Sequence, residues 1–400
     1  MWHMTVTKPI NVRIAWILWV ALFVVATLSS FGGHRRNVTH HYRAASERWF
    51  RSQELYSNDG DGFLYFPQSA VLYSPFAFLP SDVGEILWRA VILGVFASGV
   101  FRLARLAGRT SGIEFFPLTT MFCLPLAFSS ERNGQATLIM AGLMMLATVE
   151  LVDKHWWRAA AYLSLGLAIK PLCLVLVLLA AILYPATVWR LVACVLVWTV
   201  MPFLTADASY VIHQYGSCVH MFQVAADRGS DANWAQLFGM LQVAGIHVPA
   251  SWQSVARVLA AAGALALAWH AQRRLHSEWA GAYCYALAIC YLMLFNPRTE
   301  NNSYSALAPV IGILCCRDVL AHRRFSRLTW YIILSLGITG TYYVGILVTG
   351  PKLTMWLAPL MGACFTVVAV ADLFRWREPD CRQQDNYCMS ASQDRPSCAA

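Results

Sequence analysis

The residues best suited to chemistry lie in four polar stretches set between long apolar runs. The longest, Asn37 to Pro80, holds His40, His41, Arg43, Glu47, Arg48 and Arg51, with rings at Tyr42, Trp49, Tyr56, Tyr65 and Tyr73. Arginines and histidines can hold phosphate through charge-assisted hydrogen bonds, and flat rings can lie against sugars. A second stretch, Ser129 to Gln135, offers Glu131, Arg132, Asn133 and Gln135.

The third is Lys170-Pro171, in the middle of a 26-residue apolar stretch. An ammonium is costly in lipid, which makes Lys170 a functional-site candidate; a lysine snorkelling from a helix end is the plainer reading. Pro171 removes a backbone donor and frees carbonyls. The fourth stretch, Asn296 to Asn302, carries Arg298 and Glu300. Plainer readings exist here too: Asn133 or Gly134 as a helix cap, and Pro297 with its neighbouring amides as a helix stop and start. Asp59-Gly60-Asp61-Gly62 spaces two carboxylates as a metal pair would, but Asp and Gly in this order are turn residues first. No metal site and no cofactor is expected.

The hydrophobic fraction is 58% and the charged fraction 13%, against about 45–50% and 25% in soluble domains. An all-α polytopic membrane protein is implied. The net charge of +9 comes in short clusters between apolar runs, the distribution of topology signals, so no nucleic-acid partner is expected. Eight of the twelve cysteines sit inside apolar runs and Cys381, Cys388 and Cys398 in the polar tail. No spacing suggests zinc or a disulfide framework.

Twelve apolar segments are expected to span: Ile14–Phe31, Val83–Phe101, Ile113–Ser130, Ala136–Leu151, Ala159–Ile169, Leu172–Tyr184, Arg190–Leu204, Val255–Ala271, Trp279–Phe295, Tyr304–Cys316, Thr329–Thr349 and Thr354–Phe374. Counting Ala159–Ile169 and Leu172–Tyr184 as a broken pair meeting at Lys170-Pro171 places Arg102, Arg105, Arg109, Lys154, Arg158, Arg190, Arg273, Arg274 and the Arg317 to Arg327 cluster inside. The four polar stretches then face outward. The expected layout is a membrane domain over 1–376, with outer loops over 32–82 and 205–252, and a disordered cytoplasmic tail over 377–400.

In order and spacing, several short motifs resemble the polyprenyl-phosphate-sugar-dependent glycosyltransferases of family 87, which have the C-type membrane fold. They are His41-Tyr42-Arg43-Ala44-Ala45, Leu55-Tyr56, Tyr65-Phe66-Pro67, Pro75 with Leu79-Pro80, Asn133-Gly134-Gln135, Ala168-Ile169-Lys170-Pro171 and Asn296-Pro297-Arg298. The resemblance implies inverting transfer of a hexose, with mannose expected, from a polyprenyl-phosphate donor to a lipid or glycan acceptor. The reaction would occur outside the cytoplasmic (inner) membrane, in a multi-pass protein surrounded by membrane lipids.

Such a displacement needs one base for the acceptor hydroxyl and cations for the departing phosphate. The family's acidic residue at the head of the first loop aligns with Asn37, which cannot accept a proton. Glu131 and Glu47 are therefore the expected catalytic residues, with Asp59, Asp61, His40, His41 and Glu300 as alternatives. Expected substrate contacts are Lys170, Arg43, His41, Tyr42, Tyr65, Arg132, Asn133, Gln135, Arg298 and Glu300. A transporter or lipid flippase shares the broken pair and the intramembrane lysine, though no repeated half accompanies them. An inactive transferase relative is the third reading.

Overall fold

The computed structural model describes residues 9–31, 37–56, 63–227, 234–350 and 355–376, and no strand occurs among them. Lipid leaves a chain no partner for its peptide groups, so apolar runs must close their hydrogen bonds within helices. The first is α1 (Pro9–Ser30). Two short helices follow inside the long polar stretch, α2 (Thr39–Phe50) and α3 (Pro67–Ala77). Next come α4 (Ser81–Gly108), α5 (Phe116–Arg132), α6 (Thr137–Val152), α7 (Trp156–Ile169) and α8 (Leu174–Leu183). α9 (Val188–Val200), α10 (Ala208–Asp227) and α11 (Leu237–Val243) lead to α12 (Ala250–Arg274). α13 (Ser277–Phe295), α14 (Ala308–Cys316), α15 (Ser326–Thr349) and α16 (Leu357–Phe374) follow.

Among the described residues, eight helical stretches are long and apolar enough to cross a membrane by themselves. They are α1 from Asn11, α4, α12, α13, α15, α16, and the longer runs Pro185–Leu204 around α9 and Asn301–Ala321 around α14. The sequence reading expects twelve. The remaining four expected segments are α5, α6, α7 and α8, of 17, 16, 14 and 10 residues, all below the ~20 residues of an unaided crossing. Within the two stretches expected as outer loops, much of the chain is helical. Along α2 the buried residues Thr39, Tyr42, Ala45, Ser46 and Trp49 recur at helical spacing. The tail over 377–400 and the Asp59/Asp61 pair lie outside the described residues.

The centre of the bundle is α6, α13 and α14, which are buried almost throughout. Outer helices show apolar side chains instead, among them Ile17, Leu196, Val258 and Leu347. At the crossing of α4 and α6 two glycines let backbones touch: a Cβ on Gly99 would lie 2.7 Å from the Gly142 carbonyl oxygen. Close approach through small residues gives helices in lipid their dispersion contact.

Basic and acidic side chains cluster at the turn after α14. There Asp318, fully buried, accepts from Arg317 (2.9 Å), Arg327 (2.9 Å) and Tyr331 (2.8 Å). Asp372 on α16 accepts from the same two arginines at 2.7 and 2.9 Å. Two carboxylates thus offset two guanidinium groups in a knot joining α15, α16 and the π-helical turn Arg317–Ala321. Removing one member of a buried ionic set leaves charge uncompensated. Asp318→Ala is therefore expected to lower stability by about 3–5 kcal/mol, seen as an earlier thermal transition of the detergent-solubilised protein, with the α10 side unaffected in limited proteolysis.

Candidate active site

Three interruptions of the helical bundle build the site. The first is the turn after α5. Gly134 there has φ +67°, and a Cβ on it would lie 2.4 Å from Thr39 Cγ2. Neighbours fix this turn from two sides: Val38 N–H donates to the Asn133 carbonyl (3.0 Å), Trp88 Nε1 to the Gly134 carbonyl (2.9 Å) and Arg89 Nη2 to the Arg132 carbonyl (3.1 Å). So held, the turn presents three groups in succession. Gln135 Nε2 donates to Glu300 Oε2 at 2.8 Å, Ala136 N–H to the Tyr42 hydroxyl at 3.3 Å, and Thr137 Oγ1 accepts from Lys170 Nζ at 2.6 Å.

Since both its φ and its surroundings exclude a side chain, Gly134→Ala is expected to cost about 1–3 kcal/mol. It should also displace Gln135 from Glu300. The check is a lower melting temperature together with lower transfer activity.

The second interruption is the break at Lys170. Proline disfavours helix at the residue before it, and Lys170 is extended, with φ −143° and ψ 119°. A short 3-10 turn, Pro171–Cys173, then restarts the chain toward α8. The carbonyls of Ala168 and Ile169, left without helical partners, accept from Ser69 Oγ on α3 at 2.7 and 3.3 Å. The third interruption follows α13, where Asn296 is extended and Thr299 Oγ1 folds back onto the Leu292 carbonyl at 3.1 Å. The Ala235 N–H donates to the Thr299 carbonyl at 2.8 Å, which brings Trp234 under the Arg298 guanidinium, 5.1 Å from the ring centre.

The second and third of these, with Tyr65, border a cavity of about 290 Å³, lined by Tyr65, Lys170, Trp234, Arg298, Glu300 and Ser303, with Leu64, Pro171, Leu172, Phe222, Asn296 and Pro297; the first reaches it through Gln135 on Glu300. Glu300 is exposed to it and Lys170 half-buried beside it. Across Tyr65 lies a second cavity of about 200 Å³, almost entirely apolar, lined by Tyr42, Tyr73, Trp88, Leu72, Ile139 and Leu165 among others. The Tyr42 and Tyr65 hydroxyls meet at 3.0 Å. Burial pushes the Tyr42 phenol up to about 12 and that of Tyr65 well above its usual range, so both remain protonated donors at neutral pH.

Of the expected site residues, the structure brings Lys170, Tyr42, Tyr65, Gln135, Arg298 and Glu300 together. The others lie elsewhere. Arg43 donates to the carbonyls of Phe76 (3.1 Å), Ala77 and Leu79 (3.1 Å), closing the C-terminus of α3. His41 is exposed and stands 3.9 Å from the His40 ring; partial burial, with His40 adding to it, holds its pKa below the usual value. Arg132 lies over Phe128 at 5.9 Å, and Asn133 engages α2 through its backbone. Glu131 is fully buried with no hydrogen-bond partner for either oxygen among the described residues, and Glu47 is half-buried on α2. Neither of the two expected catalytic carboxylates lines the cavity.

Asn37 holds a network that the sequence reading does not contain. Its Oδ1 accepts from the Thr39 N–H (3.2 Å), the Thr39 hydroxyl (2.8 Å) and Arg89 (3.3 Å), while its Nδ2 donates to Glu85 at 2.9 Å. Glu85 in turn pairs with the fully buried Arg89 at 2.9 Å. A signal for the pair does exist: two opposite charges one turn apart at the head of an apolar helix. Thr137, by contrast, sits in an apolar run with nothing in the sequence to mark it.

The sequence matches the model of glycosyltransferase family 87 over residues 63–297, more than half of the chain, including the turn after α5 and the Lys170 break and ending at Pro297, just before Arg298 and Glu300. No curated protein matches it. Among solved structures, apo ArnT from Cupriavidus metallidurans is similar with a TM-score of 0.39 and 15% identity, covering 90% of this chain and 78% of that one. The same enzyme bound to undecaprenyl phosphate gives 0.36 and 14%, covering 89% and 77%. A family match that runs from residue 63 through the Lys170 break to Pro297, on a bundle of apolar helices, identifies the chain as a member of glycosyltransferase family 87, a multi-pass membrane glycosyltransferase.

Proposed function

We propose that the protein transfers a hexose, with mannose the expected sugar, from a polyprenyl-phosphate donor to a lipid or glycan acceptor on the outer side of the cytoplasmic membrane. The observation that carries this reading is the convergence of Lys170, Arg298 and Glu300 on one cavity beneath Tyr65. Two cations and one carboxylate are the set that displacement of a phosphate by a hydroxyl requires.

In this arrangement the acceptor oxygen attacks the anomeric carbon from the face opposite the phosphate. The bond from that carbon to the phosphate oxygen breaks, the hydroxyl proton passes to Glu300, and the polyprenyl phosphate leaves with its charge held by Lys170 and Arg298. Attack from the opposite face inverts the anomeric centre. Gln135 orients Glu300 through the 2.8 Å hydrogen bond, and Trp234 and Tyr65 offer flat walls to a sugar ring. The apolar cavity across Tyr65 suits the first isoprene units of a lipid carrier. Glu300 takes the role first expected of Glu131 or Glu47, because only Glu300 of the three faces the cations.

The test is incorporation of label from radioactive polyprenyl-phosphate mannose by membranes that carry the protein. Label entering a lipid or glycan product, lost in Glu300→Gln, is expected. Silence with every polyprenyl-phosphate hexose offered would overturn the reading.

A further inference from the structure

We infer that the end of α4 remote from the active site holds a separate binding site for the phosphate of an anionic phospholipid. α4 has 28 residues, so at 1.5 Å per residue its two ends are about 40 Å apart. The active-site end begins beside Glu85 and Trp88. At the other end a cavity of about 660 Å³ opens between α1, α4 and α6, lined by Arg102, Arg105, Arg109, Glu114, Val12 and Val149.

The three arginines stand at spacings of three and four, which puts them on one face of the helix. Two of them are firmly held: Arg102 by Glu150 at 2.7 Å, and Arg109 by both oxygens of Asp153 at 2.6 and 3.2 Å. Arg105 is not. Its closest carboxylate, Glu114, is 3.5 Å away, and its side chain is 60% exposed. An exposed pair at that distance is weak, whereas a phosphate presents several oxygens to a guanidinium fork. The fixed arginines shape the cleft, and Arg105 is the one left to engage a ligand. Arg158 lies 3.9 Å from Glu150, so the carboxylates of this cluster are shared among the other guanidinium groups, and Arg105 has only the distant Glu114.

A second cavity points to a lipid as the source of that phosphate. A groove of about 260 Å³ runs between α1 and α5, lined by Ile14, Leu18, Leu118 and Met121. Both cavities meet the first turn of α1, one at Val12 and the other at Asn11. Ile14 and Met121 are exposed on the outside of the bundle, where acyl chains would lie. A basic pocket next to an apolar seam at the edge of the bilayer is the arrangement that holds a headgroup together with its chain.

Native mass spectrometry of the full-length protein in detergent, titrated in parallel with dioleoyl phosphatidylglycerol and dioleoyl phosphatidylcholine, tests the inference. The wild type should retain the anionic lipid about fivefold more strongly. R105Q should bring the two lipids to near equality, R105K should keep most of the preference, and E114Q, which frees Arg105, should increase it. R190Q, at another basic helix end, should change nothing. Equal retention of both lipids by the wild type, or a preference that E114Q and R105Q leave unmoved, would overturn the site. Displacement of the lipid by glycerol 3-phosphate at comparable concentration would overturn the lipid as occupant.

Discussion

Glu300→Gln should lower turnover by about a hundred- to ten-thousand-fold, the range of a positioned general base. The amide keeps the shape of the side chain and can still meet Gln135, so the fold and donor binding should persist while proton removal fails. Glu131→Gln and Glu47→Gln should leave turnover close to wild type, because neither carboxylate reaches the cavity. The measurement is initial rate against acceptor concentration in membranes matched for protein content. A dead Glu131→Gln beside an active Glu300→Gln would reverse the assignment.

Lys170→Met should be nearly as damaging, for a different reason. On the proposed mechanism negative charge develops on the phosphate oxygen as the anomeric bond breaks, and losing one aimed donor typically costs about 2.7–4 kcal/mol of transition-state stabilisation, or roughly a hundred- to a thousand-fold. The effect should fall on kcat more than on KM if the ammonium meets the leaving group mainly in the transition state. Thr137→Val separates this from mere positioning. It removes only the 2.6 Å partner of Lys170, worth about 0.5–1.5 kcal/mol, and so should lower the rate about tenfold at most. A Thr137→Val protein as inactive as Lys170→Met would mean that placement of the lysine, rather than its charge at the phosphate, is what matters.

What the sequence discloses here follows from where physics is unforgiving. Apolar runs are legible because lipid tolerates little else, and the Lys170-Pro171 break is legible because an ammonium and a proline both defy their surroundings. Motif order suggests that this break meets Tyr65 and the Arg298 to Glu300 stretch, and in the structure these residues line one cavity. Roles of individual charges are less visible, because a guanidinium looks the same whether it meets ligand or backbone. Arg43 closes α3, and only the three-dimensional path of the chain reveals that. Glu131 and Glu300 have equal standing as letters; the first is sealed beneath its turn while the second opens on the cavity. Segment number is similarly blurred, since α7 and α8 are each too short to announce a crossing.

The cap over the active site is tied down at several points. Ser69 holds the carbonyls at the Lys170 break, Trp49 Nε1 donates to Thr205 at 3.0 Å, Tyr215 donates to Gln68 at 3.0 Å, and the Leu55 N–H to Gln214 at 3.1 Å. Each of these bonds ties the cap to another part of the bundle. On the proposed function, a polyprenyl-phosphate donor dissolved in the bilayer would arrive sideways, by two-dimensional diffusion between helices. Its saturation should follow mole fraction among the surrounding lipids, so diluting the donor with inert phospholipid should slow the reaction even when the amount per millilitre is unchanged.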